Sequence, residues 1–259
     1  MFEVKGTKGL SERFISATIV TYNDGETALE AVKSIVANTK RYPLKLYVFD
    51  NGSTDNTVDL IKGVKGVRLI ENRKNIGFGA AHNLALKEDL GDYHFVINPD
   101  ITVKSDVLSD MADFMEQSGD IVMAMPKILN TDGSEQKLPK EVPTFKRLFL
   151  GRLSKNVRNE YIWANREINE PCEINFCSGC CFGIKTSVFK DLGGFDQRYF
   201  MYLEDVDLTL RAKKKGRVCI LPQYEVTHKW ERTSAKKLKY LLIHISSSMK
   251  FLRRRKELL

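Results

Sequence analysis

Phe14-Ile15-Ser16-Ala17-Thr18-Ile19-Val20, the polar run Thr21-Tyr22-Asn23-Asp24-Gly25, a helical-period stretch over 26–38 and a second apolar run over 44–49 follow one another near the start of the chain. The apolar runs are short, rich in β-branched and aromatic residues and bounded by turn formers, so they read as strands; the stretch between them has the period of an amphipathic helix. The unit recurs, with helices over 55–62, 80–87 and 105–117 alternating with strands over 67–70, 93–97 and 121–124. Strands joined by helices in this way form right-handed crossovers, which predicts an α/β fold with a mostly parallel sheet and helices on both faces. Ligands of such sheets sit beyond the carboxyl ends of the strands. Three polar motifs fall there: Thr21–Gly25 after the first strand, Asp50-Asn51-Gly52-Ser53-Thr54-Asp55 after the second and Asn98-Pro99-Asp100 after the fourth.

Periodicity fades over 126–171, a polar stretch with Thr131-Asp132-Gly133 and a helix expected over 145–153. A strand over 174–184, a helix over 186–191, a helix over 205–215 and a strand over 218–221 follow. The expected division is an N-terminal extension (1–13), a ligand-binding half (14–105), a second half of the same domain (106–228) and a tail (229–259). At 259 residues and 42% hydrophobic, the chain can bury a full core. No apolar run approaches the length of a bilayer span and the N-terminus lacks a signal-peptide core, so the expected location is cytoplasmic. The odd cysteine count (Cys172, Cys177, Cys180, Cys181, Cys219) argues against a disulfide framework, and the spacing lacks a second ligand pair for zinc; the cysteines read as small apolar residues.

The net charge of +8 resides in the tail. Residues 229–259 hold ten Lys or Arg against two Glu, which leaves 31 of each sign elsewhere. Leu238, Leu241, Leu242, Ile245, Met249 and Leu252 recur at helical spacing beside Lys236, Lys237, Lys239, Lys250 and 253–256, a C-terminal basic amphipathic helix suited to an anionic membrane surface, to packing on the body, or to both. Little aromatic interleaving argues against nucleic acid.

Four further features carry chemistry. Glu204, Asp205 and Asp207 stand behind the aromatic run Tyr199-Phe200-Met201-Tyr202; carboxylates this close serve a cation, a hydroxyl or a proton, or else begin a helix with Asp207 facing water. Asp50, at a strand end before Asn51-Gly52, is aimed outward to accept from a base imide or a ribose hydroxyl, whereas Asp55 caps a helix. In Asn98-Pro99-Asp100 the proline stops the strand and presents Asp100 to a divalent cation, with His228 a further ligand or a packed residue. Gly77-Phe78-Gly79 either admits an anionic or heterocyclic ligand or is a tight loop.

Thr21-Tyr22-Asn23, Asp50-Asn51-Gly52-Ser53-x-Asp55, Asn75-x-Gly77-Phe78-Gly79, Asn98-Pro99-Asp100 and Gly194-Phe195-Asp196 with Glu204-Asp205-Val206-Asp207 resemble, in order and spacing, the family 2 inverting glycosyltransferases of the GT-A fold, a Rossmann-like nucleotide-binding sheet. Within it the chain looks most like the bacterial rhamnosyltransferases of O-antigen, capsule and cell-wall polysaccharides. The resemblance implies that Thr21, Tyr22, Asn23 and Asp50 hold the nucleotide of the donor, with Gly77 and Asn98 beside it. It implies that Asp100 ends the metal-binding Asp-x-Asp motif, that His228 completes a Mg2+ or Mn2+ site, and that Asp205 is the catalytic base. Asn98 replaces the first Asp of that motif. Cys180, Tyr202 and Glu204 then face the acceptor. The implied donor is dTDP-L-rhamnose and the implied acceptor a polyprenyl-diphosphate-linked saccharide at the inner face of the membrane, where the enzyme is peripheral. UDP-sugar transfer is the nearest alternative; a non-catalytic carbohydrate-binding protein is the alternative from another class.

Overall fold

The computed structural model of the protein describes residues 13–149, 154–229 and 238–259. In chain order its elements are β1 (Ile15–Thr21), α1 (Gly25–Asn38), β2 (Leu44–Asp50), α2 (Thr57–Lys62), β3 (Val67–Glu71), α3 (Phe78–His82), β4 (Tyr93–Ile97), β5 (Ile101–Thr102), α4 (Val107–Ser118), β6 (Ile121–Leu129), α5 (Phe145–Phe149), α6 (Lys155–Tyr161), β7 (Cys172–Glu173), β8 (Cys181–Lys185), α7 (Thr186–Asp191), α8 (Glu204–Lys213), β9 (Arg217–His228) and α9 (Leu238–Leu258). The strands form one mixed sheet in the order β3-β2-β1-β4-β8-β6-β9-β5, with β7 on β9. Pairings among β3, β2, β1 and β4 are parallel, as is β6 with β9, while β8 runs antiparallel to both its neighbours.

Every residue of β1 and β4 is buried, which requires cover on both faces of the sheet. Ser16 Oγ and Thr18 Oγ1 point to one face and hydrogen-bond the two ring nitrogens of His94 at 2.9 and 2.8 Å. Burial lowers the His94 pKa to about 3, so the ring is neutral, and it stacks on Phe189 of α7. The main core runs without a break from Ile15 to Val226, joining both expected halves. Cys177, Cys180, Cys181 and Cys219 lie in it as small apolar residues, their thiols pushed up by burial.

Several elements differ from expectation. Of the strand expected over 174–184 only the end forms, as β8, because the chain turns at Gly179-Cys180; the short β7 lies just before the expected range. The strand expected over 218–221 runs on to His228, and β5 pairs with its end, setting Ile101 opposite His228. A two-residue strand has no period to read. Helix α6 buries none of its residues, so it carries no apolar stripe to reveal it. Of the helix expected over 145–153, residues 150–153 lie outside the described residues, as do Lys236 and Lys237.

Helix α9 uses two faces. Phe251 and Leu258 are buried with Leu148, Tyr199, Val206 and Leu210, which docks the helix on α5 and α8. The expected apolar stripe points elsewhere: Leu238, Leu241, Leu242, Ile245 and Met249 are exposed, Leu242 by 58%. Among the described residues, no helix is long and apolar enough to cross a membrane.

Candidate active site

A cleft of about 720 Å³ opens beyond the ends of β1 and β4, lined among others by Tyr22, Asp24, Gly77, Asn98, Asp100 and Tyr240. The expectation that Asp50 is aimed outward does not hold. It is 2% exposed, and its carboxylate accepts from Thr21 Oγ1 (3.3 Å), Gly52 N–H (3.1 Å) and Ser53 N–H (2.9 Å). The sharp Asn51-Gly52 turn folds the chain back over the carboxylate instead of exposing it. Thr21 is fully buried beside it, and Asn23, at φ 59°, accepts the Thr54 N–H (2.7 Å), so these residues brace the loop behind the cleft while Tyr22, 43% exposed, lines it. Asp55 accepts from Thr57 N–H at the start of α2, as a cap does.

Asp100 follows Pro99 at the strand end, and the β5–β9 pairing brings His228 to it: His228 Nε2 lies 3.1 Å from Asp100 Oδ2. Gln136 fixes the ring. Its amide nitrogen donates to Asn130 Oδ1 and the His228 carbonyl, so its oxygen is the acceptor, 2.9 Å from His228 Nδ1. In the neutral ring this puts the proton on Nδ1 and the lone pair on Nε2, toward Asp100. Asp100 Oδ1 is buried with no hydrogen-bond partner among the described residues. Burial, with the charges of Asp100, Asp55 and Asp50 adding to it against the Tyr22 N–H, pushes the Asp24 carboxyl up to about 6. Among the described residues no three His, Cys, Asp or Glu side chains converge as a metal cluster; Asp100 and His228 form a pair.

A second cleft of about 520 Å³ shares Phe78, Asn98 and Met201 with the first and is lined by Cys180, Tyr202, Glu204 and Asp205. Tyr202 and Leu203 are both left-handed (φ 72° and 67°), a costly conformation for such side chains, and α8 begins directly after them. This kink turns Asp205 to the cleft, where its carboxylate accepts from Gly179 N–H (3.1 Å) and Val206 N–H (2.9 Å). Gly179 packs closely there, since a Cβ would stand 3.3 Å from Asp205 Cβ and press on that side chain. Burial, then the Asp205 charge, holds the Glu204 carboxyl well above the usual range, and its Oε2 has no partner among the described residues. Burial raises Asp205 too, opposed by Lys140 and by the two backbone N–H groups. Burial thus disfavours charge on both, and Asp205 has groups that offset it: the Lys140 cation and two backbone N–H groups.

Asp207 does not face water. It is fully buried, ion-paired to Arg211 at 2.7 Å and to Arg254 of α9, with Tyr199 OH donating at 3.4 Å. Arg254 also binds Asp196 at 2.6 Å, clamping α9 to α8 and to the loop before it. The Gly77-Phe78-Gly79 glycines serve a seam: a Cβ on Gly77 would lie 2.4 Å from the Phe200 carbonyl, and one on Gly79 would lie 2.7 Å from Phe195 Cβ. Phe78 N–H donates to that Phe200 carbonyl, and the Asn83 side chain both donates to and accepts from the Phe195 backbone.

Asp24 and Asn75, which stood in the sequence motifs without a role of their own, line the first cleft; sequence reasoning passed over Gln136, Lys140 and Arg158 in the second. The turn former Asp132-Gly133 between Leu129 and Glu135, which pair, was the available signal for a hairpin delivering Gln136 to His228. Nothing local marks Lys140 or Arg158.

The profile of glycosyl transferase family 2 matches residues 16–193. The chain is 33% identical over 257 residues to the N-acetylglucosaminyl-diphospho-decaprenol L-rhamnosyltransferase of Mycobacterium tuberculosis (strain CDC 1551 / Oshkosh), covering 90% of this chain and 82% of the relative. It is 26% identical to the rhamnosyltransferase WbbL of Escherichia coli (strain K12), covering 81% of each. The crystal structure of GalNAc-T7 with UDP, GalNAc and Mn2+ superposes with a TM-score of 0.66 at 19% identity, over 85% of this chain and 44% of that one, which shows a shared GT-A fold.

Proposed function

The chain belongs to glycosyl transferase family 2 and is a glycosyltransferase, and we propose that it moves L-rhamnose from dTDP-L-rhamnose, with inversion, onto a hydroxyl of a polyprenyl-diphosphate-linked saccharide. The observation that carries this reading is the junction of the two clefts: Asp100 lines one, Asp205 the other, and Phe78, Asn98 and Met201 line both. The two rhamnosyltransferase relatives support the sugar, and the diphospho-decaprenol in one of their names supports the acceptor class.

The donor lies in the first cleft, its base against Tyr22, its diphosphate toward Asn98 and Asp100, and the backbone of Gly77 beside it; Thr21, Asn23 and Asp50 brace the loop that carries Tyr22. Asp100 and His228 hold a Mg2+ or Mn2+ ion. The pair fits one, since Asp100 Oδ1 is a buried oxygen without a partner among the described residues and magnesium commonly uses only one or two protein carboxylates. When bound, the ion offsets charge on the departing diphosphate. Cys180, Tyr202 and Glu204 position the acceptor. Asp205 takes the proton of its hydroxyl as that oxygen attacks the anomeric carbon opposite the bond to the diphosphate, which then breaks. Burial strengthens Asp205 as a base, because a carboxylate with a raised pKa binds the proton more tightly. The halves 14–105 and 106–228 thus divide donor and acceptor.

The exposed stripe of α9 and the flanking Arg253 and Lys256 hold the protein peripherally at the anionic inner face of the membrane, where the acceptor resides. The function is tested by melting the protein with dTDP-L-rhamnose, UDP-glucose and UDP-N-acetylglucosamine, with and without Mg2+ or Mn2+, and by mass spectrometry of the product on polyprenyl-diphospho-N-acetylglucosamine. Selective, metal-dependent stabilisation by dTDP-L-rhamnose, lost in Asp100→Ala, and an added deoxyhexose are expected. Transfer from a UDP-sugar alone would overturn the donor assignment.

A further inference from the structure

Next to Asp205 a separate cavity of about 360 Å³ runs between α5, α6 and α9. Its wall carries Lys140, Arg147 and Arg158. Arg147 is engaged, binding the Val142 carbonyl at 2.9 Å and Glu160 at 3.1 Å. Lys140 and Arg158 have no carboxylate within ion-pair distance among the described residues. Lys140 is half-buried with its Nζ 4.6 Å from the centre of the Phe176 ring, partly desolvated, and its charge acts on Asp205 without a direct ion pair. Nearby, Lys137 is paired with Glu135. A half-buried lysine and an exposed arginine, neither in a direct ion pair, make this concave wall attractive to an anion.

The position of the cavity says which anion. Lys140, Arg158, Tyr202 and Asp205 line both this cavity and the acceptor cleft, so it leads directly away from the attacking hydroxyl. The Asp205 charge reaches Tyr161 on its far wall, adding to burial in raising that phenol. The donor diphosphate has its own place at Asp100, in the other cleft. Beyond the cations the walls turn apolar at Leu148 and Phe176, and His244 of α9 closes the cavity one turn from the exposed Leu241 and next to the exposed Ile245.

We infer that Lys140 and Arg158, with Arg147 behind them, bind the diphosphate that links the acceptor saccharide to its lipid, so that α9 receives the start of the polyprenyl chain. This rests on the glycosyltransferase reading above and names the part of the acceptor that the second cleft leaves over. A diphosphate diester carries two negative charges, matched by the two unpaired cations, and guanidinium and ammonium donors give the charge-assisted hydrogen bonds that such oxygens accept.

The test is equilibrium binding by calorimetry on the full chain, with two probes: short-chain prenyl-diphospho-N-acetylglucosamine and the same sugar on a neutral alkyl chain. In Lys140→Gln/Arg158→Gln the diphosphate probe should bind at least about 10-fold more weakly, as loss of charge-assisted bonds implies, and the neutral probe within about twofold of wild type. Lys140→Arg should retain most of the affinity, and dTDP affinity should be unchanged in every variant. Wild-type protein that binds both probes equally, or a double variant that loses both by the same factor, would overturn the assignment; a parallel loss of dTDP affinity would move the cations to the donor. Binding is read without transfer, so failure of the rhamnosyl reading would show in the donor panel and leave this result to be judged by itself.

Discussion

Asp50 and Asp207 are both buried carboxylates outside the clefts, and the two halves of the molecule satisfy them by different means. In the half proposed to hold the donor (14–105), Asp50 takes three hydrogen bonds from neutral groups: two backbone N–H groups within three residues of it and a hydroxyl on the adjacent strand. In the half proposed to hold the acceptor (106–228), Asp207 is held by two guanidiniums, one of them from α9, 47 residues further along the chain. The first arrangement is closed within one β-α-β unit. The second is complete only when the tail helix has docked, so the helix that carries Asp205 depends on a distant element for its footing.

The comparison is broken most directly by removing the two carboxylates. Asp207→Ala leaves Arg211 and Arg254 without their buried partner, which costs about 3–5 kcal/mol; calorimetry should show a melting temperature lower by at least about 6 °C for a chain of this size. Asp50→Ala should cost about 1–3 kcal/mol, the penalty of neutral donors left unpaired. Equal losses would mean that the tail contributes no more to the acceptor half than a local turn does to the donor half.

Asp205→Asn separates footing from chemistry on the same helix. Turnover should fall by at least about 10²-fold, the contribution of a positioned general base, with dTDP affinity nearly unchanged. Burial raises the Asp205 pKa above its unfolded value of 3.8, so the folded state binds that proton more tightly and ionisation above this range costs stability. The Asn variant should therefore melt no lower than wild type at pH 7, and any gain should vanish below about pH 4, where the carboxylate is protonated in both states. In wild type the acid limb of the rate profile should lie above 3.8, in line with the raised pKa. Near-normal turnover in Asp205→Asn with loss in Glu204→Gln would move the base to Glu204.

The smallest effect concerns the outer face of α9. Arg254 and Arg255 are committed to Asp207 and to the Pro143 carbonyl, so charge reversal there would undo packing. Arg253→Glu/Lys256→Glu changes only exposed residues and should weaken sedimentation with anionic liposomes by on the order of 1 kcal/mol per basic residue removed, with added salt weakening wild type in the same direction. Leu242→Ser/Ile245→Ser should lower binding at every salt concentration. Wild type that sediments equally with neutral and anionic liposomes would confine α9 to its packing role.

The same contrast governs what could be read from the chain. Strands β1 to β4 and the helices between them were legible because each is closed by near neighbours and carries a full period. Asp100 was legible because Pro99 ends its strand, and Glu204-Asp205 because carboxylates rarely crowd without purpose. Asp207 was misread: Arg211 stood four residues on, but the second guanidinium arrives from α9, and no local pattern records it. Asp50 was misread for the opposite reason, since the turn that was taken to expose it supplies the N–H groups that enclose it. The cations at 140 and 158 belong to a stretch without period, and only the folded cavity brings them beside Asp205.

The seam between Gly77–Gly79 and Phe195–Phe200 bears on how the enzyme meets its two substrates. Backbone touches backbone there, with the Phe200 carbonyl in the space a Cβ of residue 77 would fill and Asn83 gripping Phe195 from both sides. So close a joint leaves no room for a larger side chain at residue 77 or 79, and it ties the loop that enters the first cleft to the loop that leads into the second. If the first cleft takes the donor and the second the acceptor, as proposed, the spacing of sugar and hydroxyl is built into the fold, like the gap of a fixed calliper.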